Sequence, residues 1–298
     1  MKISIAIIIL SFGLSLNTVG QNHYEQFKEY FSDSLKERNK NFSCIKTYQQ
    51  KKGDKKHLFN IIYFNSNGLP AGIQRVDDTI EIDRSDFTYK DGKLFSIEEF
   101  QTKDKFLIAE LNYTDDGLIK TVSESVFSSL TKEKLPARNY NYLYYTNGQL
   151  RQVYVFEGSK TDTAEIQNFD IRGHQTTSYM NYDGLTTKRI EFIWNKDSTE
   201  CKEIHFNDEN KAYNTVISTF RNNLIIKKID QSTSPIPFYW KYDKHNRLVE
   251  TNSGMFYTQN YFYDEKGLLI KQSMTVIEQF NYNNFPKTIE ATYDYIHR

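Results

Sequence analysis

Trp240-Lys241-Tyr242-Asp243-Lys244-His245-Asn246-Arg247-Leu248 and, 21 residues later, Tyr261-Phe262-Tyr263-Asp264-Glu265-Lys266-Gly267-Leu268-Leu269 share one pattern, aromatic-x-Tyr-Asp-x-x-(Gly/Asn)-x-Leu. Looser copies precede them. Tyr142-x-Tyr144 leads to Gly148 and Leu150, Leu111-x-Tyr113 to Gly117 and Ile119, Ile62-x-Phe64 to Gly68, and Ile204-x-Phe206 to Asn210. Tyr89 with Gly92 and Leu94, and Phe220 with Asn223 and Ile225, are shortened copies; Phe169 to Gly173 and Tyr182 to Leu185 are degenerate ones. Side chains two apart on a strand share a face, so aromatic-x-Tyr sets two rings on one side. The chain must then reverse. Asn67-Gly68, Asp91-Gly92, Asp116-Gly117, Asn147-Gly148 and Asp183-Gly184 are the dipeptides that favour two-residue hairpin turns with both central residues at positive φ. Where glycine is lost, asparagine replaces it at 210, 223 and 246. Asparagine is the side chain that best tolerates the left-handed region.

Outward from these units, Val153-Tyr154-Val155-Phe156, Arg189 to Trp194 and Asn214 to Phe220 show the β-branched and aromatic content of strands. The expected fold is mainly β: a repetitive antiparallel β-hairpin meander over 42–298, forming a rolled or solenoid-like sheet. A lone hairpin is marginal in water, whereas about ten in series can share one aromatic face. The segment before the repeats differs. Tyr24, Phe27, Phe31 and Leu35 fall at helical spacing, which predicts one N-terminal amphipathic helix within 21–41 acting as a cap. Residues 1–20 combine Lys2, an apolar stretch from Ile3 to Leu16 and small residues near Gly20. That stretch is shorter than the roughly 20 residues that span a bilayer, and is expected to be a cleaved secretory signal peptide. No transmembrane segment is expected in the mature chain.

The motif resembles the YD-repeat family of Rhs-type bacterial surface and toxin-shell proteins. Tyr242-Asp243 with Asn246 and Leu248, and Tyr263-Asp264 with Gly267 and Leu269, carry the likeness. The earlier units keep the aromatic, glycine and leucine but mostly lose the aspartate. They also look like MORN-variant repeats. The resemblance, over about residues 60–285, implies a spiralling β-sheet, an exported location and a structural or carbohydrate-binding role. It brings no catalytic residues. The chain is much shorter than a toxin-enclosing shell, so encapsulation is not expected.

Charge is balanced, with 38 Lys+Arg against 38 Asp+Glu. A nucleic-acid surface needs an excess of cations, so no nucleic-acid partner is expected. The 22 Tyr and 21 Phe supply much of the area available for burial. Cys44 and Cys201 are too few for a disulfide scaffold or a zinc site. A bridge between them and two buried thiols both remain open.

No nucleophile elbow, zincin helix or phosphate loop is present. His23, His57, His174, His205, His245 and His297 are scattered singly, and no metal or cofactor is expected. Glu98-Glu99, Asp115-Asp116 and Asp77-Asp78 are adjacent carboxylates. Neighbours on a strand face opposite ways, which makes them poor glycosidase pairs. Asp243 and Asp264 are expected to be turn-stabilising acceptors. Asp208, Glu209 and Asn210, or Asp264 with Glu265, are weak candidates for a loop calcium site against solvated hairpin tips. Tyr239, Trp240, Phe256, Tyr257, Tyr261 and Phe262 form the best binding candidate, because consecutive aromatics must face both sides of a sheet. The expected function is a non-enzymatic exported binding or cell-envelope structural module. Its expected partner is a protein or glycan in the periplasm, at the cell surface or outside the cell. The alternatives are an accessory or neutralising factor of a toxin system, and a carbohydrate-active enzyme.

Overall fold

The fold follows from how the chain turns. In a computed structural model, residues 37–51, 54–77, 80–101, 104–128, 131–158, 160, 162–182, 184–231, 237–253, 256–276 and 288–297 are described. The expected signal peptide over 1–20 and nearly all of the helix expected within 21–41 lie outside them. Among the described residues helix is confined to 37–39, so the N-terminal helical cap is not borne out.

The strands are β1 (Phe42–Lys51), β2 (His57–Phe64), β3 (Pro70–Asp77), β4 (Ile80–Lys90), β5 (Lys93–Gln101), β6 (Asp104–Tyr113), β7 (Ile119–Phe127), β8 (Lys134–Tyr144), β9 (Leu150–Glu157) and β10 (Thr163–Phe169). They continue as β11 (Gln175–Tyr182), β12 (Leu185–Trp194), β13 (Glu200–Phe206), β14 (Ala212–Arg221), β15 (Leu224–Asp230), β16 (Pro237–Tyr242), β17 (Leu248–Asn252), β18 (Tyr257–Tyr263), β19 (Leu269–Val276) and β20 (Thr288–His297). All belong to one 20-stranded sheet. Strands pair with their chain neighbours, as in the antiparallel β1–β2, β7–β8 and β18–β19 ladders. The last strand returns to the first, with Ile45 opposite Tyr295 and Thr47 opposite Tyr293. The hydrogen-bonded order is therefore cyclic, the connectivity of a closed barrel. This corrects the solenoid-like expectation: a solenoid leaves two end strands unpaired, and here each end strand pairs with the other.

Two compact units divide the chain. One comprises Met1–Tyr89, Ile97–Lys105 and Phe238–Arg298, the other Lys90–Ser96 and Phe106–Pro237. The first buries Ile45, Ile62, Ile73, Ile97, Leu248, Tyr261 and Leu269. The second buries Leu107, Ala109, Leu111, Val122, Tyr140, Val153 and Val155. In both, burial alternates along the strand, as in Leu107, Ala109 and Leu111 of β6, so one face is apolar and the other meets water.

The reversals are of two kinds. The shortened units make the expected two-residue turns, with Asp91 and Gly92 at φ 51° and 75°, and Asn222 and Asn223 at 52° and 61°. The full units do not. At Asn67-Gly68, Asp116-Gly117 and Asn147-Gly148 only the glycine is left-handed. There the loop is longer: Asn65 N–H donates to Leu69 O, and Gly68 N–H donates back to Asn65 O, both at 2.9 Å. The same pair of bonds recurs in the loops beginning at Thr114, Tyr145, Asp170, Asn207, Asp243 and Asp264. The extra residue forces a bulge where the repeat aromatic sits, at Phe64, Tyr113, Tyr144, Phe169, Phe206, Tyr242 and Tyr263. A type I turn closed by one left-handed residue demands such a bulge.

Candidate functional site: solvent-facing aromatics and interior polar patches

The repeat tyrosine is committed to structure. Its hydroxyl donates to a backbone carbonyl of a neighbouring hairpin: Tyr89 to Pro70, Tyr113 to Leu94 and Tyr144 to Ile119, each at 2.7 Å, then Tyr263 to Leu248 at 2.8 Å and Tyr295 to Leu269 at 3.0 Å. Trp194 does the same with its indole N–H to Gln175 O at 3.0 Å. These carbonyls lie at or next to the start of a return strand, so each aromatic straps one hairpin to the next. Burial, with a smaller contribution from the Asp264 charge, pushes the Tyr295 phenol up to about 12 against the opposing charge of Arg38.

The residue after the aromatic is the turn acceptor. Asp243 Oδ1 accepts from the His245 and Arg247 amides at 2.8 and 3.0 Å, and Asp264 Oδ1 from Leu268 N–H at 2.7 Å. Asn65, Thr114, Asp170, Asn195 and Asn207 do the same from the same position. Partial burial opposes ionisation of Asp243 and Asp170, but these amides and the neighbouring Arg247 and Arg172 hold both carboxyls below their ordinary range. Sequence reasoning found this role for the two aspartates. It missed the unit at Trp194-Asn195 and the equivalence of Asn and Thr at the acceptor position.

The other candidates divide. Among the described residues no group of three or more His, Cys, Asp or Glu comes together as a metal site. Asp208 pairs with Arg189 at 2.6 Å and Glu209 with Lys211 at 2.7 Å. Asp115 and Asp116 sit in a turn, Glu98 pairs with Lys105 at 2.7 Å, and Asp78 lies outside the described residues. His174 stacks on Trp194 with centroids 4.2 Å apart, while His205 Nε2 meets Glu203 Oε1 at 2.8 Å. Burial would raise the Glu203 carboxyl, yet the His205 bond and the Lys228 charge bring it below its ordinary range. His57, His245 and His297 join no such group, and His23 lies outside the described residues. Cys44 and Cys201 are buried free thiols, not a disulfide. Burial, and then Glu203, push the Cys201 thiol up to about 11, which leaves it a poor nucleophile.

Two polar patches interrupt the apolar interior. In the second unit, Tyr140 Oη lies 3.4 Å from Glu124 Oε2, and Glu165 accepts from Ser178 Oγ at 3.1 Å and Gln167 Nε2 at 3.0 Å. Burial keeps the Glu165 carboxyl above its ordinary range despite those bonds and the charge of Arg138. The first unit buries uncharged groups, Thr47, Asn60, Gln259 and Gln272.

The aromatic set on β16–β18 splits as strand alternation requires. Tyr261 is buried, Trp240 and Tyr257 are half-buried, and Tyr239, Phe256 and Phe262 are 39%, 38% and 46% exposed. Tyr239 faces Asn252 across the ladder, and Asn252 faces Thr258, four positions before Phe262 on the same side. Between the rings lie the Lys241–Glu250 ion pair at 2.7 Å and the Asn252–Thr258 hydrogen bond at 3.1 Å. Lys271, paired with Glu290 at 2.7 Å, sits 5.9 Å from the Phe262 ring centroid. Flat rings flanking polar and charged groups suit a ligand with both C–H faces and hydroxyls, or a protein surface.

No protein-family model matches the chain, and no curated protein matches it. Among solved structures, a porin-like protein from Bacteroides uniformis ATCC 8492 is 13% identical, with 85% of this chain and 96% of that one covered at a TM-score of 0.38. A TcdB2-TccC3-TEV structure is 12% identical over 73% of this chain and 15% of its own, at 0.27. Another TcdB2-TccC3 structure is 10% identical over 81% and 19%, at 0.26. The chain spans less than a fifth of those two chains. At such scores none of these likenesses decides fold or function, and no family model supports the YD or MORN resemblance.

Proposed function

We propose that this is an exported, non-enzymatic binding module of the cell envelope, with its binding face on the outer side of β16–β18. The observation that carries the reading is the exposure of Tyr239 on β16, Phe262 on β18 and Phe256 just before β18, beside the buried Tyr261 and the half-buried Trp240 and Tyr257. A sheet that needed aromatics only for packing would turn polar residues outward there. The partner is a glycan or a protein met outside the inner membrane.

A water-exposed setting fits the distribution of polarity better than a membrane-embedded one. A membrane-spanning barrel has an apolar outer band about 25 Å tall and a polar interior. Here Ile62, Ile97, Leu111 and Val122 are buried, while outward positions carry the ion pairs Lys134–Glu110, Lys241–Glu250 and Lys271–Glu290. The test is retention of the purified chain on envelope polysaccharide and on envelope proteins from the producing cell. Replacing Tyr239, Phe256 and Phe262 together by serine is expected to weaken retention at least tenfold with an unchanged melting temperature. Unchanged retention, or none by the unaltered chain, defeats the reading. Polysaccharide turnover abolished by changing one Asp or Glu establishes the enzyme alternative instead.

A further inference from the structure

The outward rings of β16–β18 stand too far apart to share one small ligand. Tyr239 and Phe262 lie on the same face, two strands apart in the row Tyr239, Asn252 and Thr258, with Phe262 four residues beyond Thr258. Two strand spacings of about 4.8 Å across and four residues of about 3.4 Å along put the two positions about 17 Å apart. A single pyranose ring is much shorter than that gap. The ground between the rings is polar. Asn252 donates to Thr258 Oγ1 at 3.1 Å, Lys241 pairs with Glu250 at 2.7 Å, and Glu250 stands opposite the half-buried Asn260.

This layout separates the two partner classes open to the face. The energetic centre of a protein interface is a cluster of anchor side chains that excludes water, and charged residues are depleted there. Here the centre holds Lys241 and Glu250, and a protein laid over it would have to strip water from that pair. A chain of sugars makes no such demand. Its ring faces stack on Tyr239 and Phe262, and its hydroxyls, which both donate and accept, meet the amides of Asn252 and Asn260. The ion pairs Lys241–Glu250 and Lys271–Glu290 cancel in charge, so the face holds no excess of cations to draw an anionic polymer. We propose, resting on the reading of this face as the binding face, that it holds a neutral, extended oligosaccharide reaching from the Tyr239 ring to the Phe262 ring.

The test is affinity electrophoresis of the full chain in gels containing mannan, laminarin, arabinoxylan or dextran, with alginate as the anionic control. At least one neutral polymer is expected to retard the chain, and alginate is not. Competition then uses the disaccharide and the hexasaccharide cut from the retarding polymer. The hexasaccharide is expected to compete about tenfold or more better than the disaccharide, because only it engages both rings at once. Tyr239→Ser and Phe262→Ser, each with an unchanged melting temperature, are both expected to remove that advantage. Leu143→Ser, at an exposed position of β8, is expected to keep it. Equal competition by the two lengths overturns the proposal, and so does an advantage that survives either ring substitution. Retardation by alginate as strong as by the neutral gels overturns it too. If no neutral polymer retards the chain while envelope proteins are retained and then lost with the combined serine variant at Tyr239, Phe256 and Phe262, the glycan ligand falls and the binding face stands. If neither is retained, both fall.

Discussion

At the scale of single residues, the repeat is a device for joining hairpins. The aromatic-x-Tyr pattern announces two rings on one face, but the hydroxyl does the connecting, through carbonyls 15 to 26 positions away. Nothing in the sequence says which carbonyl, because that depends on the stagger between strands. Tyr113→Phe keeps the ring and orphans the Leu94 carbonyl. It should lower stability by about 1 kcal/mol, read from the midpoint of urea unfolding. Gly148 is left-handed at φ 77° with nothing near its missing Cβ, so only backbone strain opposes a side chain. Gly148→Ala should cost about 1–2 kcal/mol, and Gly148→Asn distinctly less. For Asp243, the folded carboxyl titrates below its ordinary value because the His245 and Arg247 amides and the Arg247 guanidinium outweigh partial burial. Its contribution is therefore present above the unfolded value of about 3.9 and lost as pH falls through the lower folded one. An Asp243→Asn variant should lose stability at pH 7 and converge on the unaltered chain as pH falls through the folded value, a trend that melting curves taken down the acid range will show.

At the scale of elements, strand, turn and alternation were legible, and the turn type was legible only in part. Positive φ at glycine and asparagine was readable from their lack of competing side-chain bulk. The bulge was not, since Asn-Gly serves a two-residue turn as well as the last step of a longer loop. The acceptor at Asn65, Thr114 and Asn207 was legible in retrospect: all three carry an oxygen at the reach of the aspartate in Asp243 and Asp264. That consecutive aromatics on β16–β18 point to opposite faces was legible, whereas whether the outward set meets water or is covered was left open, because it rests on register and packing. The interior polar patches were not foreseen, because Thr47, Asn60 and Glu165 lie in strands whose sequence also suits an outward polar position. Glu165 sits at such a patch with its carboxyl above the ordinary range through burial. A raised acid favours the folded state only while protonated, so this contribution is lost as pH rises through the folded value. Glu165→Gln keeps an oxygen for Ser178 and Gln167 and should raise the melting temperature at pH 8, with the gain vanishing below about pH 4.

At the scale of the whole molecule, local pattern stops short of closure. Each hairpin can be drawn from a window of some twenty residues, whereas β1 and β20 meet from opposite ends of the chain. A meander, a roll and a closed sheet share the same local sequence. Closure removes the two edges that an open sheet of this size would expose to other chains. Amide hydrogen exchange resolved along β1 and β20 tests this most directly. If Phe42–Lys51 and Thr288–His297 form one ladder, their amides are protected to the same extent as those of β7 and β8. Exchange of every second amide of either strand at the rate of an unpaired edge would contradict it.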